Sequence, residues 1–211
     1  MANCSTIIIV GASTGGPQTV RSLMTRLPVL DACVLIVLHM PKYINASVRK
    51  SMSAVTPMKV ELAADGMALE NGLILIAPSE THMVLENNQR VRLVDGKKVN
   101  YVRPSIDITM KSVTRDGDVH VIGIVLTGMG SDGAKGISHI KDLGGATFAQ
   151  DESTCVVYGM PKAAVETGKV DFILPPEEIA DKVAEMIGNM RDSQADPGIQ
   201  GNGSPSAVKL K

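Results

Sequence analysis

The feature that most constrains the fold is an uninterrupted apolar run close to the start of the chain. Residues 6–10 read TIIIV, are β-branched throughout, and are followed by Gly11. A short run of this kind, without alternating polar positions, is typical of a strand buried on both faces, as strands of parallel sheets are. The run therefore predicts a parallel sheet covered by helices on both sides.

The segments that follow alternate between helix and strand patterns. A helical pattern that begins at Pro17 and ends at Pro28 leads directly into a second apolar run, so the three segments predict a right-handed βαβ unit with parallel strands. Residues 83–85 and 91–94 alternate like an antiparallel hairpin. The other predicted strands cover residues 72–77, 119–126, 146–150 and 170–174, and the other helices 43–52, 104–113, 134–143 and 175–187. We expect an α/β fold: a doubly wound, mostly parallel sheet in three layers, with the hairpin at one edge.

The length and composition fit one folded domain with a short tail. The 211 residues are 44% hydrophobic, enough for a substantial core built mainly from aliphatic side chains. Residues 189–211 are rich in Gly, Pro and Ser and poor in apolar residues. We therefore expect a domain over residues 1–188 and a disordered tail over residues 189–211.

Charge and cysteine content argue against several classes of function. The net charge is −1 and no block of Lys or Arg occurs, so nucleic acid is not an expected partner. The three cysteines have neither zinc-site nor disulfide spacing, which favours a reducing cytoplasm and predicts no metal site. The first apolar run is too short to span a bilayer and has no signal-peptide flanks, so the protein is expected to be neither exported nor membrane-embedded.

A candidate nucleophile follows the first strand. Residues 11–15 read GASTG and match G-x-S-x-G between a predicted strand and a predicted helix, a context in which a serine is held exposed on a sharp turn. The candidate is Ser13, and the N–H of Thr14 is the natural first donor to a developing oxyanion. The alternative, a turn that binds phosphate or only packs closely, stays open on this motif alone.

A base and a carboxylate follow two other predicted strands. His39 ends the second strand, and Asp132 lies in the glycine-rich segment TGMGSDG after the strand 119–126. The carboxyl ends of parallel strands meet at one edge, so Ser13, His39 and Asp132 are expected to form a triad in which Asp132 holds the imidazole Nδ1–H. The alternative for Asp132 is an N-cap of the next helix.

Other histidines and acids are weaker candidates. His82 lies in a loop and ranks second as a base, whereas His120 falls within a strand and His139 within a helix. Three other acidic residues lack a comparable glycine-rich setting: Asp107, Asp151 and Asp171.

Five ordered motifs resemble the catalytic domain of the CheB family, the chemotaxis receptor protein-glutamate methylesterases. They are GASTGGP, VLHMP, APSETHMVL, RPSID and LTGMGSDGAKG, and the resemblance runs over residues 7–187. It implies the same triad, with Thr14 and Met129 in the substrate pocket. It also implies hydrolysis of glutamate γ-methyl esters on the cytoplasmic domains of methyl-accepting receptors, deamidation of receptor glutamines as a second activity, and no cofactor.

The chain differs from typical members of the family at its amino end. Typical members carry a phosphorylatable receiver domain before the esterase, whereas here the first strand begins near Thr6, and no receiver is expected to fit. A stand-alone form, a piece of a longer protein, and a receiver domain or kinase partner acting in trans all stay open, so control by phosphorylation in two-component signalling is an open expectation. Two other functions also stay open: a hydrolase of small free esters, and a non-catalytic receptor-binding or nucleotide-binding module.

Overall fold

A computed structural model of the chain describes residues 4–115 and 119–195. Its elements are β1 Thr6–Ala12, α1 Gly16–Arg26, β2 Cys33–Leu38, α2 Asn45–Ser53, β3 Lys59–Leu62, β4 Leu73–Ile76, β5 His82–Glu86, β6 Arg90–Val94, α3 Ile106–Lys111, β7 His120–Val125, α4 Ala134–Asp142, β8 Ala146–Gln150, α5 Met160–Val165, β9 Phe172–Leu174 and α6 Pro176–Ala195. Seven strands form one parallel sheet in the order β3-β4-β2-β1-β7-β8-β9. The predicted doubly wound α/β fold is confirmed.

Each face of the sheet is covered by its own set of helices. Ile8 and Val10 of β1 belong to a core shared with α1, α2 and α6. Ile7 and Ile9, which point to the other face, pack in a second core with α3, α4 and α5. Every residue of β1 is buried, which explains why this strand has no alternating polar positions.

The predicted hairpin forms, but it does not extend an edge of the large sheet. Strands β5 and β6 pair with each other, and in the described part of the chain their one further bridge joins Arg90 to Ala68. Met83 and Leu85 of β5 pack into the core on the α3 side. The apolar positions of the hairpin therefore cover a sheet face, and the edge placement predicted from the sequence is wrong.

Two short elements carry too little pattern to be predicted. In edge strand β3 the apolar residues Val60 and Leu62 alternate with the charged residues Lys59 and Glu61. Charged residues on a short edge strand protect it from pairing with other chains, but they also dilute its hydrophobic signal. Helix α5 has six residues and is shorter than the segments that periodicity can identify.

Helix α6 continues past the end that the sequence predicts. Gly188 and Asn189 resemble a helix stop, yet the helix runs to Ala195. Four of the six residues 190–195 are Met, Arg, Gln and Ala, which are good helix formers. The predicted boundary at residue 188 therefore falls inside a helix, and residues 196–211 of the predicted tail lie outside the described residues.

The sheet reverses its winding between β1 and β7. From β1 the sheet continues through β2 to β4 and β3 on one side, and from β7 through β8 to β9 on the other. Loops that leave a parallel sheet at such a point diverge and form a crevice at the carboxyl edge. The loops after β1 and β7 border this crevice. No helix in the described ranges is long and apolar enough to cross a membrane.

Candidate active site

The backbone brings Ser13 and His39 to neighbouring positions at the carboxyl edge of the sheet. The Ser13 N–H donates to the carbonyl of Thr127 at 2.9 Å, and the His39 N–H donates to the carbonyl of Ala12 at 3.1 Å. Strand β1 lies between β2 and β7 and pairs with both in parallel register. The two residues therefore leave adjacent strand ends on the same side of the molecule.

Asp132 reaches His39 from the loop between β7 and α4. Its Oδ2 lies 2.9 Å from Nε2 of His39, and the two side chains are 3% and 10% exposed. The prediction that Asp132 accepts from Nδ1–H of His39 is wrong. When Nε2–H donates to Asp132, Nδ1 carries no proton in the neutral ring and is the nitrogen left to act as a base.

Ser13 and His39 follow neighbouring strands, but their side chains are not hydrogen-bonded to each other in the described part of the chain. Within residues 4–115 and 119–195, no hydrogen bond joins Ser13 Oγ to either nitrogen of His39. Catalytic hydrogen bonds are often long in free enzymes and tighten when substrate binds. The structure thus links two of the three predicted triad side chains and presents the third at the same edge.

Four donors besides His39 hold the Asp132 carboxylate. Oδ2 accepts from the Ile106 N–H at 2.7 Å, and Oδ1 accepts from Ser105 Oγ at 2.7 Å and Asn100 Nδ2 at 2.9 Å, with the Asp107 N–H at 3.3 Å. Burial raises the pKa of Asp132, but the hydrogen bonds from His39, Ser105, Ile106 and Asn100 outweigh it, so the pKa lies below its usual value. Asp132 is therefore a fixed negative charge beside the imidazole.

Asp132 does not cap its own helix. The N-cap residue of α4 is Gly133, which lies in the left-handed region with φ 99° and has no side chain with which to cap the helix. Asp107 of α3 accepts from the N–H groups of Gly133 at 2.9 Å and Gly136 at 2.8 Å. Asp132 in turn accepts from the first N–H groups of α3. Each of the two carboxylates therefore binds the start of the other helix, and the alternative role of Asp132 as the N-cap of α4 does not hold.

A tight turn is fastened to both carboxylates by one amide. Asn100 Nδ2 donates to Asp132 Oδ1 at 2.9 Å and to Asp107 Oδ2 at 3.0 Å. Asn100 and Tyr101 are the tip of the turn, both with positive φ, and reciprocal backbone hydrogen bonds of 3.1 and 3.0 Å between Val99 and Val102 close it. Positive φ in residues other than glycine is strained, and the two charged acceptors offset that strain.

Thr127 organises the backbone around the serine. It is fully buried, and its Oγ1 donates to the carbonyl of Thr14 at 3.0 Å and accepts from the Val157 N–H at 3.0 Å. No group in the described part of the chain accepts from the Thr14 N–H. This N–H, at the entrance to α1, is therefore available to stabilise an oxyanion on a group bound to Ser13.

Exposed apolar side chains surround the crevice. Met129 is 77% exposed in the loop after β7, and Val156 is 64% exposed. Val156 lies over the serine turn, because a Cβ added to Gly15 would come within 2.6 Å of its Cγ2. The residues that the resemblance assigns to the pocket, Thr14 and Met129, therefore both lie in the loops that carry Ser13 and Asp132.

The other histidines have their ring nitrogens engaged elsewhere or lie far from the crevice. His82 is buried, accepts from the Ser105 N–H at Nδ1 (3.2 Å), and contacts the carbonyl of Lys97 through Nε2 (3.0 Å). His139 contacts the carbonyl of Val113 through Nε2 at 2.8 Å. His120 begins β7 at the opposite edge of the sheet. Among the described residues, no group of three or more His, Cys, Asp or Glu side chains could hold a metal ion.

Gly128 makes room for the serine, which leads to a prediction. A Cβ added to Gly128 would lie 2.7 Å from Cβ of Ser13 and would also collide with Sδ of Met160. We expect Gly128→Ala to displace Ser13 and to cost about 1–3 kcal/mol of stability. The kcat for ester hydrolysis, the reaction expected from the sequence, should fall about a hundredfold. Steady-state kinetics and urea unfolding measure both effects.

Gly188→Ala is the matched control for this substitution. Nothing lies within 4 Å of an added Cβ there, and the position is inside α6. It should keep full activity and gain stability of up to about 1 kcal/mol from helix propensity. Full activity in Gly128→Ala would contradict the close contact described here.

The residues that hold Asp132 were not predicted from the sequence. Ser105 and Asp107 lie in the RPSID segment, where a Ser before an apolar helix start is a recognisable N-cap signal. Asn100 carries no such signal, because its role depends on a turn geometry that brings it to two carboxylates from other elements. The sequence identifies Thr127 only as the first residue of the glycine-rich segment and does not predict its hydrogen bonds to the serine turn.

This chain is similar to known proteins of the CheB methylesterase family. Residues 8–183 match the family model described as CheB methylesterase. The chain is 42% identical over 185 residues to a protein-glutamate methylesterase/protein-glutamine glutaminase of Haloarcula marismortui, covering 85% of this chain and 50% of the relative. A protein of the same name from Clostridium acetobutylicum is 37% identical over 185 residues, covering 87% and 54%. The chain thus spans about half the length of the curated relatives that it matches.

A solved structure is similar over nearly its whole length. The crystal structure of the Thermotoga maritima CheB methylesterase catalytic domain superposes with a TM-score of 0.81 at 34% identity, and the match covers 86% of this chain and 98% of that one. The similarity therefore covers most of this chain and nearly all of the solved domain.

Proposed function

Because the chain belongs to the CheB methylesterase family, we propose that it hydrolyses glutamate γ-methyl esters on methyl-accepting chemotaxis receptors and releases methanol. Ser13 is the nucleophile, His39 the general base and acid, and Asp132 the carboxylate that orients the imidazole. The observation that carries the proposal is the hydrogen bond of 2.9 Å between Asp132 Oδ2 and His39 Nε2, at the strand end beside Ser13.

The reaction is an acyl transfer in two steps. Nδ1 of His39 takes the proton of Ser13 as Oγ attacks the ester carbonyl, and the oxyanion accepts a hydrogen bond from the Thr14 N–H. The imidazolium, stabilised by Asp132, then gives its proton to the departing methoxide, which leaves as methanol. Water attacks the acyl-enzyme by the reverse sequence and releases the glutamate carboxylate. The Ser13–His39 hydrogen bond must form when substrate binds.

The same machinery accounts for a second activity. Attack on the side-chain amide of a receptor glutamine gives the same acyl-enzyme, with ammonia as the leaving group, so we propose glutamine deamidation as well. Neither reaction calls for a metal or an organic cofactor. The proposal assigns the protein to the cytoplasm and to a two-component signalling pathway, because the methylated segments of such receptors are cytoplasmic.

Methanol release tests the proposal directly. We expect the protein to release methanol from methylated receptor membranes with a kcat/KM at least a hundredfold higher than from a simple methyl ester such as methyl acetate. Unmethylated membranes are the blank, and ammonia release from receptors that carry glutamine at these positions tests the second activity. Equal kcat/KM on both esters would indicate a hydrolase of small esters, and no methanol from either would indicate a non-catalytic module.

A further inference from the structure

A cleft of about 330 Å³ opens beside His39. Its walls are the segment after β2, the start of the loop after β4, and the turn that Asn100 fastens to Asp132. His39 itself lines the cleft, so a chain that occupies it lies next to the reacting group.

The charges of the cleft are unequal. Its cationic side chains are Lys42, Lys98 and Arg103, and its carboxylate is Glu80. Glu80 is partly neutralised by Lys42, whose Nζ lies 3.5 Å from Oε2, with both side chains mostly exposed. Within the described ranges Lys98 has no carboxylate partner. Arg103 donates one N–H to the carbonyl of Gly96 at 2.7 Å. The cleft therefore carries a net positive charge, and two of its cations form no ion pair with an acid among the residues that the structure describes.

The wall that carries Lys98 is rigid. Lys98 immediately precedes the turn that is closed between Val99 and Val102 and held by Asn100 on two carboxylates. Tyr101, the outer residue of the tip, is 95% exposed and also lines the cleft. A preformed cationic wall loses less conformational entropy on binding than a flexible loop would, so its charge is available for recognition.

We propose that this cleft binds an acidic segment of the substrate protein that flanks the reacting ester. The inference rests on the proposed function and adds to it how the protein selects its substrate. Glutamates on either side of the ester would meet Lys98 and Arg103 while the ester reaches Ser13. Exposed charge pairs contribute modestly one at a time and are screened by salt, so the preference is expected to be strongest at low ionic strength.

The experiment measures binding without turnover. A fluorescent peptide with several glutamates around a central glutamate, and a second with serines in place of the flanking glutamates, are titrated with the full chain, and anisotropy gives Kd. Neither peptide contains an ester or a glutamine, so binding is measured whether or not the chain is an esterase. We expect the glutamate-rich peptide to bind at least tenfold more tightly in 50 mM salt, and this difference to shrink in 500 mM salt.

Substitutions of opposite sign separate charge from misfolding. Lys98→Gln should weaken binding of the acidic peptide about fivefold, whereas Glu80→Gln, which removes the one carboxylate of the cleft, should strengthen it. Lys59→Gln, at the amino end of edge strand β3, is the control and should change nothing. Equal Kd values for the two peptides, or equal effects of Lys98→Gln and Lys59→Gln, would overturn the inference. The methanol assay then reports separately on the proposed function.

Discussion

Replacing Ser13 by alanine is expected to lower kcat for methanol release by about 10⁶-fold, the loss measured when the serine of a known triad is removed. The Ser13 hydroxyl is the group that forms the acyl-enzyme in the proposed reaction. Its removal should leave the fold intact, because Ser13 Oγ makes no hydrogen bond in the described part of the chain. The Cβ that packs against Gly128 is retained. The free energy of unfolding is therefore expected to change by less than about 0.5 kcal/mol.

Ser131→Ala is the matched control for the loss of a hydroxyl. Ser131 is exposed and directly precedes Asp132, so the substitution removes the same group from the same edge. It should keep kcat within about twofold of the unaltered chain, which is the result expected of a surface change away from the chemistry. Turnover by Ser13→Ala at more than a hundredth of the original rate would remove Ser13 from the mechanism.

The substitution Asp132→Asn should have the second largest effect, a fall in kcat of roughly 10⁴-fold. An asparagine cannot supply the negative charge that stabilises the imidazolium. Its amide also meets donors in either orientation. If its NH₂ replaces Oδ2 it faces the N–H of Ile106, and if it replaces Oδ1 it faces the amide of Asn100. We therefore expect an additional loss of about 1–3 kcal/mol in the free energy of unfolding, measured by urea denaturation beside the methanol assay.

Asp107→Asn distinguishes the two effects of that substitution. Asp107 accepts from the N–H groups of Gly133 and Gly136 and from Asn100, but it does not touch His39. It should lose comparable stability while keeping kcat within about tenfold. If Asp107→Asn and Asp132→Asn were equally inactive, the loss in Asp132→Asn would be explained by the damaged junction of α3 and α4 and not by the missing charge.

Buried apolar runs made most of the fold predictable. Strand β8 was predicted with its observed bounds, Ala146–Gln150, and β1 was recognised because both of its faces are covered. The placement of a predicted element, in contrast, depends on contacts between segments far apart in the chain. The hairpin of β5 and β6 shows this best: its alternation is plain in the sequence, but the surface that it covers is decided by α3.

The same distinction applies to the candidate site. Its three loops were predictable, because Ser13, His39 and Asp132 each follow a strand of a parallel sheet and the strand ends share one edge. The ring nitrogen that faces Asp132 was not predictable. It depends on where the donors at the start of α3 hold the carboxylate, and α3 can approach because Gly11 of β1 has no side chain to collide with Ile106. The catalytic roles themselves stay predictions until the variants are measured.

The turn Val99–Val102 belongs neither to the large sheet nor to a helix, and the side-chain amide of Asn100 holds it on the Asp132 carboxylate. The residues of this turn can therefore be replaced without changing the sheet. Substitutions on either side of Asn100 that keep the asparagine would change which substrates the proposed cleft binds and leave Ser13, His39 and Asp132 in place. Redesign toward new esters should begin at this turn.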